Sequence, residues 1–305
     1  MTASILLSYG DVSRKESVLP LVEILTAREN WFLNNLGKTQ AMDGVHISLT
    51  DTLRTAASQA VAEEADYTLL ARTTPSRITN VVEKIAVPYQ VSKTQQLIQH
   101  YHGQDELVRQ RTKALQEWGN AAEFDLVRST LTSGVSGTAP KMSGIAEAIS
   151  RANNTSAFTS TTALTATILE GFMIDNWENS NGDTATEVFV GSFIRDVIDG
   201  FTQKSNAVVM GINVNEIDTS VAVYNSSMGR LNIHTHRYIQ QSGDATGRIL
   251  GVRPDKLKIA YLREPFVQTD LAKSGDYDFE AVVGDLTLEV RNRNSNFFYT
   301  GLVKA

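Results

Sequence analysis

Residues 104–134, QDELVRQRTKALQEWGNAAEFDLVRSTLTSG, repeat their apolar side chains at helical spacing. Leu107, Ala114, Trp118, Ala121 and Ala122 fall on one side, with Val108, Leu115 and Leu126 beside them. Arg109, Arg111, Lys113, Glu117 and Glu123 are expected to fill the remaining surface, Lys113 and Glu117 standing in i,i+4 register. Asp105 and Glu106 put negative charge on the first turn, where the helix dipole favours it. Thr132 and Ser133 end the pattern, and Gly134 is expected as a left-handed C-cap. About 27 residues at ~1.5 Å each predict a rod of roughly 40 Å, longer than most globular helices. Such a rod is a spine for sheets and loops. It carries no function of its own.

Upstream of this spine the period is different. After the turn signal Asp43-Gly44, Val45, Ile47 and Leu49 alternate with polar residues, and Leu53 continues the parity. A matching strand is expected over residues 81–91, where Val81, Ile85, Val87, Tyr89 and Val91 share one face. Pro88 lies inside it and places that end at a sheet edge. Between the two strands lies a long stretch rich in Ala, Thr and Glu, far beyond the ~4–6 residues of a typical connection. Two strands cannot bury both faces alone, so this hairpin calls for a partner surface, and another subunit is the expected one. Residues 1–43 hold two apolar segments. Val18, Leu21, Val22 and Leu25 have helical spacing behind Pro20, and Trp31, Phe32, Leu33 and Leu36 end at Gly37. This is an arm packed on the chain or on a neighbour, with too little apolar material for a domain.

Downstream, a Gly/Ser/Pro loop (134–141) leads to a short helix over 142–151 and a second clear helix over 161–179. Leu164, Ile168, Phe172 and Asp175 recur there at i,i+4, beside Leu169, Met173 and Trp177. A strand follows over 187–191, then a helix over 192–204. Strands are expected over 207–214, 220–224, 230–239 and 257–261, then over 279–283, 286–290 and 296–302. The mixture is α+β.

Composition narrows the function. The 305 residues are 42% hydrophobic and 20% charged, enough for a buried core, and no window reaches the ~18 unbroken apolar residues of a membrane helix. The absence of cysteine excludes disulfides, thiol nucleophiles and thiolate metal sites. A formal charge of −6 without a basic stripe argues against a protein built to grip nucleic acid.

Catalytic motifs are missing. His234 and His236 form an H-x-H pair on an expected strand and His100 and His102 form another, but a metal site needs a third ligand. Surface or interface histidines are the better reading. The loop Gly134-x-x-Gly137-x-x-x-Lys141-x-Ser143 fails as a phosphate loop: its spacing is wrong, Pro140 precedes the lysine, and it follows a helix. Glu63-Glu64 reads as a solvated loop tip, Trp118 and Trp177 as core anchors, and Arg291-Asn292-Arg293-Asn294 as a polar strand end. No catalytic, cofactor or metal residue is expected, and the chain is not expected to be an enzyme.

The order of these elements, arm, long hairpin, spine helix, α/β region and closing strands, resembles that of tailed-bacteriophage major capsid proteins with the Hong Kong 97-like fold. Leu271-Ala272-Lys273-Ser274-Gly275-Asp276 and the run from Val282 to Asn292 (VVGDLTLEVRN) resemble a motif pair of one branch, as does Trp118-Gly119-Asn120-Ala121-Ala122-Glu123-Phe124-Asp125. Ser274 and Asp285 stand where that branch has Thr and Glu. The resemblance implies an N-terminal arm over 1–43, an extended β-hairpin loop over 44–92, a peripheral domain with the spine helix over 93–139, an axial domain over 140–262 and return strands of the peripheral domain over 263–305. It further implies self-assembly, through hexamers and pentamers in the host cytoplasm, into an icosahedral virion shell around double-stranded DNA. The partners implied are a portal and, in some relatives, a separate scaffolding or decoration protein; neither sequence-specific DNA binding nor a membrane is expected. Two rival readings are an encapsulin-like nanocompartment shell and a metal-dependent α+β enzyme using the H-x-H pair.

Overall fold

The computed structural model describes residues 30–54, 56–66, 69–98, 105–150, 155–180, 182–204, 223–226, 228–240, 246–269 and 271–303. In chain order these form α1 (Trp31–Asn35), β1 (Gly37–Gln40), β2 (Val45–Thr50), β3 (Ser76–Val81), β4 (Glu83–Ser92), α2 (Lys93–Leu97) and α3 (Glu106–Arg128). Next come α4 (Ile145–Ser150), β5 (Thr155–Ala163), α5 (Ala166–Ser180), β6 (Glu187–Val190) and α6 (Ser192–Lys204). The chain then runs through β7 (Val223–Ser226), β8 (Gly229–Thr235), β9 (Gly247–Val252), β10 (Leu257–Gln268), β11 (Tyr277–Val290) and β12 (Phe297–Val303). One sheet has the order β1-β10-β11-β4, a second has β5-β12-β9-β6-β8-β7, and β2 and β3 form a separate hairpin.

The spine is α3. It buries Ala114, Trp118, Ala122, Leu126 and Val127 against the even-numbered side of β11, where Val282, Leu286, Leu288 and Val290 share its core. Here the two stretches behind the capsid resemblance meet. A Cβ at Gly284 would lie 2.6 Å from the Trp118 ring, so the strand needs a glycine under that ring. The indole Nε1 donates to Ile85 O at 3.2 Å.

The spine is shorter than its sequence pattern implies. Asp105 caps it by accepting from Leu107 N at 2.8 Å, but Ser129 is already extended, and Gly134 is not the C-cap. The reason is tertiary. Ser129 O accepts from Gly144 N at 2.8 Å, and Thr132 bridges to Lys141, so the chain leaves the helix for a small turn with Gly137 at φ 85°.

Glu123 is the larger correction. Expected on the surface, it is fully buried. Its two oxygens accept from Phe32 N and Leu33 N at 2.8 and 2.9 Å, and Oε1 lies 3.0 Å from His236 Nε2. Those amides belong to the first turn of α1, which has no side-chain cap of its own. One carboxylate therefore caps α1 from 90 residues away. Val108 and Leu115, set beside the core stripe by spacing alone, are exposed instead.

The expected strand over 81–91 divides at Val82. The hairpin's return strand is β3, while β4 pairs with β11 and forms a sheet edge, with exposed Pro88 opposite Ala281. The second helix begins at Ala166 rather than 161, because β-branched Thr161 and Thr162 extend in β5 and Thr165 Oγ1 accepts from Ile168 N at 3.3 Å. Asp175 and Trp177 on that helix are exposed, so Trp177 is not the core anchor expected of it. The boundaries drawn at 262 and 263 fall inside β10, and the closing strands separate: β11 lies in the first sheet, β12 in the second. Residues 1–29 and 207–214, with the helical spacing at 18–25, lie outside the described residues.

Trp118→Ala is expected to cost about 3–5 kcal/mol, as a large core truncation that also orphans Ile85 O. Glu123→Ala should cost a similar ~3–5 kcal/mol by leaving buried amides unpaired, and Glu123→Gln, which keeps one acceptor, should cost less. Urea denaturation of the soluble subunit measures all three.

Candidate assembly interface

Antiparallel pairing sets Val45 opposite Val81 and Thr50 opposite Ser76, so Val45, Ile47 and Leu49 share one face of the hairpin. That apolar face is the exposed one, Leu49 reaching 71%. The half-buried face is the polar one, carrying His46, Ser48 and Thr50. A hairpin folding only on its own chain would be the other way round.

Polar contacts hold its base. His46 Nε2 lies 3.0 Å from Glu289 Oε2 on β11, and Arg291 Nε donates to Glu289 Oε1 at 2.7 Å. Burial alone would raise the Glu289 carboxyl, but the hydrogen bonds from Arg291 and His46 leave it below its usual range. The buried Asn80 amide donates to Ser143 O and Leu288 O at 3.1 and 2.9 Å, and accepts from Ser143 N at 2.7 Å. Beyond Thr50, the described residues between 51 and 75 form no regular structure, and Leu53 is 97% exposed.

Next to this base, Glu83 accepts from Met142 N at 3.1 Å. Burial pushes its carboxyl up from 4.5 to about 7, the charge of Asp125 adds to the rise, and the Met142 hydrogen bond and Lys141 oppose it.

The residues singled out for chemistry are placed apart. His234 contacts Glu187 at 2.7 Å and His236 contacts Glu123 at 3.0 Å, each with its own carboxylate on either side of Phe189. His236 is buried, which corrects its reading as a surface residue: it completes the Glu123 cap. His100 and His102 lie outside the described residues. Among the described residues no group of three or more His, Asp or Glu is placed to hold a metal ion. Glu63 and Glu64 sit exposed in a turn closed by Ala65 N on Ala62 O. Lys141 faces Glu83 and Asp125 rather than a phosphate cradle. Asn294 N donates to Asn292 Oδ1, and Asn294 O accepts from Asn176, which makes 291–294 a folded strand end. In the Leu271–Asp276 motif, Lys273 joins Lys93 on Asp278, tying the β10–β11 connection to α2.

The profile of a family described as SU10 major capsid protein matches residues 6–303. The chain belongs to that family. It is therefore a structural protein rather than an enzyme, and copies of it assemble into the icosahedral shell of a phage virion. No curated protein matches the chain. Solved structures share its Hong Kong 97-like fold over almost the full length. The capsid of an empty GTA particle gives a TM-score of 0.70 at 10% identity, covering 100% of both chains. Microbacterium phage Oxtober96 gives 0.63 at 13% identity, covering 96% of this chain and 97% of that one. The holo-SrpI encapsulin complex from Synechococcus elongatus PCC 7942 gives 0.62 at 10% identity, covering 98% and 96%. At such identities these likenesses speak for the fold.

The interface residues could be found in the sequence by their alternation. Their polar anchors could not, because His46, Asn80 and Glu289 reveal themselves only once three distant segments are adjacent.

A raised carboxyl binds its proton more tightly in the folded state, so the Glu83 contribution is fully present below about 4.5 and is lost as pH rises through about 7. The loss is about 3 kcal/mol. Urea midpoints of the soluble subunit should fall between pH 5 and 7.5, and Glu83→Gln should flatten that part of the profile.

Proposed function

We propose that this capsid protein closes its shell by laying the β2–β3 hairpin and its long tip over a neighbouring subunit. The observation that carries this is the outward apolar face of Val45, Ile47 and Leu49 on a hairpin whose inner face is polar. Full burial of one such side chain contributes about 1.5–3 kcal/mol, repeated at every subunit contact of a shell. Each copy gives its hairpin and receives another at a different surface, a heterologous contact that closes around symmetry axes.

In this reading the four-stranded sheet with α3 is the peripheral domain. The six-stranded sheet with α5 and α6 is the axial domain, whose tips meet around five- and six-fold axes in pentamers and hexamers. Residues up to about 43 are the arm. The content is double-stranded DNA, and the formal charge of −6 keeps the wall from gripping it. A portal fills one vertex, a separate scaffolding protein guides assembly in the host cytoplasm, and a decoration protein, where one is used, binds outside.

Deleting residues 56–75 tests the hairpin's role. The expected product is a folded subunit with unchanged far-UV circular dichroism that forms no uniform shells by negative-stain microscopy and light scattering. Shells of normal size and stability would refute that role. Intact shells should carry nuclease-protected DNA; an enzyme cargo without nucleic acid would favour the encapsulin reading.

A further inference from the structure

The spine helix carries a second uncovered apolar stripe, distinct from the hairpin. Val108 is 50% exposed and Leu115 44% exposed. Seven residues apart on α3, they lie within ~20° of each other around its axis. Gly119, one turn further on, continues the same line. There the structure shows what reaches the stripe. Asn30, where the described chain begins, places its side-chain nitrogen 2.9 Å from the position a Gly119 Cβ would take. The next residues form α1, which packs on α3 and is capped by Glu123. Residues 1–29 therefore lead to α3 at the end of its exposed stripe.

The sequence of that segment complements it. Val18, Leu21, Val22 and Leu25 follow the i, i+3, i+4, i+7 pattern of one apolar helix face. Pro20 falls in the first turn, where a missing N–H costs nothing. From position 18 to position 25 a helix rises about 10 Å, the same as from Val108 to Leu115. The link from Leu25 to Asn30 spans up to ~17 Å extended, more than the ~6 Å between Leu115 and Gly119 along α3.

We propose that residues 18–25 form an amphipathic helix docked on the Val108–Leu115 stripe of the same subunit, with Leu25 against Leu115 and Val18 against Val108. The arm thus completes the subunit's own spine before any neighbour is met. This contact does not depend on how the hairpin is used.

The lack of cysteine in the chain makes the test clean. The full chain is made as Leu25→Cys/Leu115→Cys and Val18→Cys/Val108→Cys, with Leu25→Cys/Glu117→Cys as the off-face control, and each is oxidised. Because Leu115, Val108 and Glu117 are exposed, their replacement leaves the core intact. The expected result is an intrachain disulfide in both on-face pairs, seen as a faster monomer band in non-reducing gels and a linked 25–115 or 18–108 peptide, with the control staying reduced. Linked dimers in place of intrachain bonds would assign the stripe to another copy's arm and overturn the proposal. So would the absence of any link in both on-face pairs. Failure of the protein to form shells would count against the hairpin reading and leave this result standing.

Discussion

A single buried carboxylate organises the centre of this subunit. Glu123 sits on the inward face of the spine helix, with none of its surface in water, and satisfies two amides of α1 and the ring of His236. A carboxylate in such a place is tolerable only if its oxygens are fully engaged, so the position of each partner is tightly constrained. That constraint joins the arm, the spine and the segment after β8. Around it stand Phe32, Phe189 and Tyr238, whose rings make edge and tilted contacts with each other and with His236. The H-x-H pair, which in isolation could start a metal site, is thereby accounted for: one ring completes a cap, the other pairs with Glu187.

The hairpin follows the opposite logic. Its own chain holds it through polar groups at the base, His46 with Glu289 and Asn80 with Ser143 and Leu288, while its apolar side is left outward. In a monomer this arrangement wastes hydrophobic burial; in a shell it supplies the contact that only assembly can bury. Directional polar anchors and a non-directional apolar face divide two tasks, aiming the hairpin and giving it reason to bind.

Much of this was legible in the sequence. Even-numbered Leu286, Leu288 and Val290 do face the spine, Pro88 does lie on an edge strand, and the two motif stretches resembling phage capsid proteins meet where Trp118 covers Gly284. The misreadings share a cause. Glu123 looked like surface because a charged residue at helical spacing usually is. Gly134 looked like a cap, but contacts to Gly144 and Lys141 end the helix earlier. Thr155–Ala163 looked like polar coil, since its strand character depends on β12, more than a hundred residues away, as its neighbour.

Taken alone, the sequence determined periodicity and therefore elements: a long amphipathic helix, an alternating hairpin, an α+β order, and a composition without thiols, catalytic motifs or a nucleic-acid grip. Tertiary structure decided which faces are buried, where the helices stop, and how β10, β11 and β12 are shared between two sheets. The physical reason is that local spacing is encoded within a few residues, whereas capping, burial of charge and strand partnership depend on groups brought together across the chain. An isolated carboxylate and a distant helix start carry no shared local signal; only the fold joins them.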